Sequence, residues 1–290
     1  MRVLVTAARG KTGRRVIAAL REQPDIAVRA LSRGNFEAPA FDGVECIAGD
    51  MDDPAIRALA VQGVDLVIHY APPMHPREVA MGTGMIDAAV AAGVLRFIYI
   101  SVIHPEIDDL VNHKAKLQVE GHLINSGLQW TVLRPQHYFQ NIDVLGALVQ
   151  GVLMAPYPPS TKLGHVDMND LVEAVVKVAL EPGHGYATYD IASAEHLSVT
   201  QLCETITELT GKVVAAREIS PVDVVAHIAA AHPLTAYSQE AFHRLFGYYA
   251  RRGIMGNPNV LTWLLGRPPR TLRDYVANCI SGNEGPVGNT

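Results

Sequence analysis

Residues 2–20, RVLVTAARGKTGRRVIAAL, constrain the fold of this chain more than any other stretch. They read as a short buried strand, a glycine-punctuated turn and a helix. Ala7, Gly10 and Gly13 stand in an A-x-x-G-x-x-G spacing, a version of the glycine-rich turn that cradles a dinucleotide pyrophosphate. Such a turn aims backbone N–H groups and the positive end of a helix dipole at an anion. Gly10 would let a phosphate approach the backbone, and Gly13 would let the helix lie close to the strand. The same residues also suit a tight strand-to-helix turn that binds nothing.

The rest of the first half repeats the pattern. Strands are predicted within 27–32, 43–51, 64–71, 95–101 and 128–135, and helices over 54–60, 78–92 and 113–126, with Gly127 as the C-cap of the last. Near-continuous apolar strands separated by helices describe an α/β fold, a Rossmann-type doubly wound parallel sheet covered on both faces. Ligands of such sheets sit beyond the carboxyl ends of the strands, which selects the loops after Thr6, Ser32, Ala71, Ser101 and Arg134. Beyond residue 150 the pattern loosens. Residues 165–181 read as a strand end entering a helix capped by Asp167 or Asn169, and 185–193 as a further strand. A helix follows over 197–210, closed by Gly211, and residues 220–281 look helical with breaks at Pro233, Pro258 and 267–270. The expected division is a nucleotide-binding domain over 1–150, with 165–193 returning to it, and a smaller, mainly helical substrate or lid region over 194–290. The last ten residues are expected to fray.

With 290 residues, 49% of them hydrophobic, the chain can bury a substantial core. A net charge of −5 and the lack of a basic run argue against nucleic acid as a partner. The longest apolar stretch, 144–159, holds Gln150 and three prolines and is no membrane span. A strand starting at Arg2 leaves no room for a signal peptide, so a cytoplasmic location is expected. Cys46, Cys203 and Cys279 are too few and scattered for a disulfide framework or a metal site, and each reads as a small buried apolar residue.

The end of the second strand distinguishes the two nicotinamide dinucleotides. A carboxylate there bonds the ribose hydroxyls, whereas an arginine accommodates a 2′-phosphate. Here the strand ends Ser32-Arg33-Gly34, with no acidic residue before Glu37. Arg33 would pair with the phosphate, and Arg9 and Lys11 could add charge beside it. NADP(H) is therefore expected, with NAD(H) as the weaker option. Asp50 is placed to meet the adenine edge or to form an Asx turn or helix cap, and Pro72 and Pro73 stiffen a loop beside the coenzyme. The expected coenzyme-binding set is Thr6, Ala7, Arg9, Gly10, Lys11, Thr12, Gly13, Arg33, Asp50, Ala71, Pro72, Ser101, Lys116 and Pro135.

With these residues assembled, the chain resembles the NmrA-like group of atypical short-chain dehydrogenases/reductases. VLVTAARGKTGRRV resembles the family's glycine motif, GDMDDPAIRAL its Gly-Asp-x-x-Asp-Pro stretch, and AAGVLRFIYIS its strand ending in Ser. EGHLINSGLQWTVLRPQHYFQN resembles its Ser-Gly-Leu-x-x-Thr-x-Leu-Arg-Pro segment, and HVDMNDLVEAVVKVAL and LLGRPPRTLRDYV resemble later features. Two departures stand out. Ala7 replaces the usual first glycine, which at positive φ would store on the order of 1 kcal/mol or more. Asn112 stands where ordinary short-chain dehydrogenases carry the tyrosine of Tyr-x-x-x-Lys, with Lys116 at the lysine position. The resemblance implies either a reductase, as in NADPH:quinone reductases and isoflavone-reductase-like proteins, or a regulator that binds the dinucleotide without turning it over.

The candidate catalytic residues are Lys116, Ser101 and His113. Lys116 could hold the nicotinamide ribose or relay a proton, Ser101 could bond a substrate carbonyl or close an ST turn, and His113, like His104, could relay a proton or be structural. His69 reads as a satisfied core group. Tyr138, Phe139 and Asn141 enter the expected pocket, where the two rings could stack on an aromatic substrate. Phe242, Phe246, Tyr248, Tyr249 and Trp263 are expected mostly in the lid core, with a few lining an apolar pocket. Two activities follow: reduction of a small apolar carbonyl, quinone or activated alkene with hydride from NADPH, or redox sensing with a protein partner. The sequence leaves monomer and homodimer open.

Overall fold

The computed structural model describes residues 1–231 and 233–283. The first half runs β1 (Arg2–Val5), α1 (Lys11–Arg21), β2 (Ala27–Ser32), β3 (Glu45–Ala48), α2 (Pro54–Ala60), β4 (Leu66–His69), α3 (Glu78–Ala91), β5 (Arg96–Ile100), α4 (Val111–Ile124) and β6 (Gln129–Pro135). Then follow β7 (His137–Tyr138), α5 (Val144–Gln150), β8 (Val152–Ala155), β9 (Lys162–Val166), α6 (Met168–Leu180) and β10 (Ala187–Ile191). The chain continues through β11 (His196–Ser198), α7 (Val199–Thr210), β12 (Ala215–Glu218), α8 (Pro221–Ala231), α9 (Ala236–Arg252), α10 (Asn259–Leu265) and α11 (Leu272–Ile280).

Seven strands form one parallel sheet in the order β10-β6-β5-β4-β1-β2-β3, a Rossmann-type doubly wound sheet. Strand order reverses between β1 and β4, so the loops leaving their carboxyl ends part and open a crevice. Alternate side chains of β1 serve the two faces, as a two-residue period requires. Val3 and Val5 join Ile17 and Leu20 of α1 and Leu171 and Val175 of α6 on one side. Leu4 joins Met81 and Met85 of α3 and Val119 and Leu123 of α4 on the other. Helix α10 returns to this scaffold, with Leu261, Leu264 and Leu265 in the α1/α6 core. Helices α8 and α9 instead pack over the loops after β4 and β5, through Met74, Ile103 and Leu110.

Several sequence expectations give way to the fold. Helix α4 ends at Asn125, its C-cap, and Gly127 takes a φ of +81° two residues later in the turn into β6. The strands of two small sheets, β11-β9-β7 and β12-β8, are mostly too short to show a periodicity of their own. Cys46 is exposed on β3, the edge strand of the main sheet, whereas Cys203 and Cys279 are buried. Trp263 is 75% exposed, because α10 turns its leucines rather than this ring toward the sheet. Asp167 caps α6, and Ser198 with Gln201 forms a capping box on α7, closed by Gly211 at φ +69°. Of the tail expected to fray, residues 284–290 lie outside the described residues.

Candidate active site

At the end of β1 the backbone makes the turn that the small residues permit. Gly10 N–H donates to the Ala7 carbonyl at 3.0 Å. A Cβ on Gly13 would lie 2.7 Å from the Ala7 carbonyl oxygen and 2.9 Å from Ala8 Cα, so only glycine lets α1 come this close. Gly10 is the N-cap of α1 and supplies no capping side chain, leaving first-turn N–H groups for an anion. Ala7 sits at φ +46°, the strained region anticipated for this substitution of the family's glycine. Ala7→Gly is expected to raise stability by about 0.5–1 kcal/mol, the relief of left-handed strain less the looser unfolded chain. Urea midpoints measure it, and a lower midpoint would contradict the strain.

Thr6 contributes from below the cleft rather than within it. It is fully buried, donates to the Tyr70 carbonyl at 2.8 Å and accepts from Tyr70 N–H at 2.9 Å. Its Oγ1 also lies 2.9 Å from His69 Nδ1. Thr6 thus ties β1 to β4 at the switch point instead of touching a ligand. His69 is only half satisfied, since Nε2 has no partner among the described residues. Burial, helped by the Lys116 charge, lowers its pKa to about 3.

The cleft runs from this turn along the strand ends. Ala7, Arg9, Gly10, Lys11, Thr12 and Gly13 line it, joined by Arg33 after β2, Asp50 after β3, and Ala71 and Pro72 after β4. Arg33 is exposed at the rim, and its carbonyl accepts from Arg9 Nη1 at 2.9 Å, bringing the two guanidinium-bearing segments together. No carboxylate comes from the end of β2. Asp50 Oδ1 accepts from Asp52 N–H at 2.9 Å, so the Asx turn is made, and the helix cap is Asp53 instead. Burial first, then neighbouring Arg15, pulls the Lys11 ammonium below its ordinary pKa, against the pull of Asp143.

Farther along, Ser101, Asn112, His113, Lys116 and Pro135 line the same cleft. Ser101 Oγ and Asn112 Oδ1 are buried and have no hydrogen-bonding partner among the described residues. Lys116 Nζ lies 2.8 Å from Glu78 Oε1 and 5.8 Å from the centroid of the Tyr99 ring. His113 Nδ1 is 3.0 Å from the His104 carbonyl, and burial lowers its pKa to about 4. A carbonyl only accepts, so the Nδ1 atom carries the proton and Nε2 is left as an acceptor. A neutral imidazole in that tautomer has no proton to give the cleft, which removes His113 as an acid at neutral pH.

At the far end Tyr138 and Asn141 line the cleft, but Phe139 does not. A 3₁₀ turn over Phe139–Asn141 directs that ring into the core, 5.5 Å from His165 and 5.9 Å from Tyr275. The wall is completed by His137, Met74, Ile103 and Ile254 and by Phe242, Leu245 and Tyr249 of α9. Ser238 Oγ donates to the Met74 carbonyl at 2.9 Å and pins α9 over the cleft. The whole encloses about 1090 Å³, at the upper limit for a single-ligand pocket. Sequence reasoning missed Glu78 and Tyr70, although Tyr70 belongs to a strand end whose loop the parallel sheet selects; His137 lies in the 134–141 segment expected to enter the pocket, and lines it.

The NmrA-like family profile matches residues 1–268. Quinone oxidoreductase 2 of Escherichia coli (strain K12) is 26% identical over 286 residues, spanning 97% of this chain and 99% of that protein. NAD(P)H azoreductase of Xenophilus azovorans is 24% identical over 279 residues, 94% of this chain and 96% of its own. The crystal structure of the NADPH-dependent quinone oxidoreductase from Escherichia coli, complexed with NADPH, superposes with a TM-score of 0.80 at 26% identity. It covers 96% of this chain and 99% of that one. A match over nearly the whole chain, with the glycine turn, the strand-end serine and the Leu-Arg-Pro segment all bordering or supporting one cleft, makes this protein a member of the NmrA-like family.

Proposed function

We propose that this chain is an NADP(H)-dependent reductase of a small apolar carbonyl, quinone or activated alkene. The carrying observation is the continuity of the cleft. It leads from the Gly10–Gly13 turn past Ser101 and Lys116 to the apolar wall of α9. The residues suit the coenzyme: the backbone at Gly13 leaves no room for a Cβ, and the Ser101 and Asn112 oxygens lack partners that a ribose or carboxamide would supply. The coenzyme supplies hydride; the protein's part is orientation and electrostatics. The first turn of α1 holds the diphosphate, Arg33 grips the 2′-phosphate, and the Lys116 ammonium donates to the nicotinamide ribose. With His113 unable to donate, the proton reaching the reduced acceptor comes from Lys116 or water. Phe242, Tyr249 and Tyr138 offer flat faces to a planar acceptor.

Loss of reduced-nicotinamide absorbance with a panel of quinones, enones and azo compounds tests this reading. Turnover of at least one class is expected. Tight NADPH binding without turnover of any acceptor would favour the non-catalytic sensor, the reading that Asn112 in place of tyrosine supports. Arg33→Ala is expected to weaken NADPH binding roughly 10–100-fold, the loss of a hydrogen bond to a charged group. NADH binding should be unchanged. Equal weakening of both coenzymes in calorimetry would remove Arg33 from the phosphate.

A further inference from the structure

We infer that Glu78 is the positioning residue for Lys116, holding its ammonium against the cleft wall where the coenzyme ribose is received. The inference rests on the reductase reading for what Lys116 faces. Glu78 is the first residue of α3 and is only 1% exposed, while Lys116 lies in the second turn of α4 and is 9% exposed. Their Oε1–Nζ separation is 2.8 Å. The two helices reach this distance because Gly82, one turn below Glu78, opposes Val119, one turn below Lys116. A Cβ on Gly82 would meet Val119 Cγ2 at 2.7 Å.

A carboxylate in the first turn complements the helix dipole equally well from the surface, so dipole compensation does not require its burial. Nor does stability explain it, since a buried ion pair is commonly no better than an apolar pair of the same volume. Neither carboxylate oxygen of Glu78 has a hydrogen-bonding partner among the described residues, so the carboxylate is not part of a larger structural network, and Lys116 meets Oε1 as an ion pair. Among the described residues its one close cationic partner is the ammonium of Lys116, which lines the cleft with Ser101 and Asn112, whose Oγ and Oδ1 have no partner there either. The carboxylate neutralises a charge that burial disfavours, and the ring of Tyr99 supports the same ammonium from the sheet side. With one side of the ammonium facing Glu78, its remaining N–H donors are available to a ribose hydroxyl.

NADPH titrations and acceptor turnover on the full chain test this with Glu78→Gln, Glu78→Asp, Lys116→Met and the double variant Glu78→Gln/Lys116→Met. Glu78→Gln, isosteric and uncharged, should lose about tenfold or more in NADPH affinity, as expected when an ammonium-mediated hydrogen bond is misplaced. Glu78→Asp should recover most of that loss. The double variant should behave like Lys116→Met alone, because Glu78 acts through the lysine. Wild-type behaviour of Glu78→Gln, or losses that multiply in the double variant, would overturn the inference. If Glu78→Gln leaves the lysine buried and unpaired and does not fold, the double variant carries the same comparison against Lys116→Met. A wild-type chain that does not bind NADPH overturns the reductase reading along with it, whereas wild-type turnover with an indifferent Glu78→Gln overturns this inference alone.

Discussion

Lowering the pH from 7 to 5 is expected to remove about 6 kcal/mol of folding stability, half or more of what a typical domain possesses. The cause is buried imidazoles, three of them almost inaccessible; half-buried His137, held by burial at about 4, acts in the same direction. His69, His113 and His165 are 0%, 1% and 3% exposed. Burial holds their pKa values at about 3, about 4 and about 3 respectively. An unfolded histidine titrates near 6.5, so below that pH the unfolded chain binds protons that the folded one refuses. Each residue then favours unfolding by about 2 kcal/mol at pH 5. The loss starts near pH 6.5 and continues until the folded values near 4 and 3 are reached. Urea midpoints taken at half-unit steps from pH 7.5 to 5 measure it. A midpoint that stays level across that window would mean these rings are charged or solvated in the native state.

Gly13→Ala is expected to weaken NADPH binding by roughly 50-fold and to destabilise the fold by about 2–3 kcal/mol. The added methyl meets backbone on every side: Ala7 O at 2.7 Å, and Ala8 Cα and O at 2.9 Å each. None of these atoms can swing aside as a side-chain tip would, so α1 must shift away from β1, an overpacking penalty of the usual size or more. The shift carries the first-turn N–H groups away from the diphosphate, so affinity and stability fall together. Calorimetric binding constants beside urea midpoints separate the two losses. Unaltered NADPH affinity in a destabilised Gly13→Ala chain would show that the diphosphate is held elsewhere.

The features legible in the sequence are those written in local residues. The alternation of apolar strands and helices marks the elements of the main sheet, with β2 and α2 at their observed limits. Arg33 is visible because the end of β2 lies one residue before it, and the cleft-lining loops follow from strand polarity. What escaped depends on distant partners. Glu78 looks like an ordinary acidic helix start; its burial comes from Gly82 meeting Val119, two residues 37 positions apart. Phe139 and Tyr138 are neighbours of the same chemical type, and only the 3₁₀ turn sends one into the core and the other to the cleft. The pairing of β7 with β9, which fixes His137 within a segment expected at the pocket, is a contact no short-range pattern announces.

The path of the chain around α8 and α9 separates the shape of one cleft wall from the rest of the scaffold. Before these helices the polypeptide is held by β12 on β8, and after them α10 is anchored among the core leucines and valines of the main sheet. The stretch that carries α8 and α9 therefore leaves and rejoins the scaffold at two fixed moorings, and between them the Ser238–Met74 hydrogen bond and the packing on Met74, Ile103 and Leu110 hold it over the cleft. Substitutions within that excursion would reshape the far wall of the cleft while leaving the Gly10–Gly13 turn at its other end untouched.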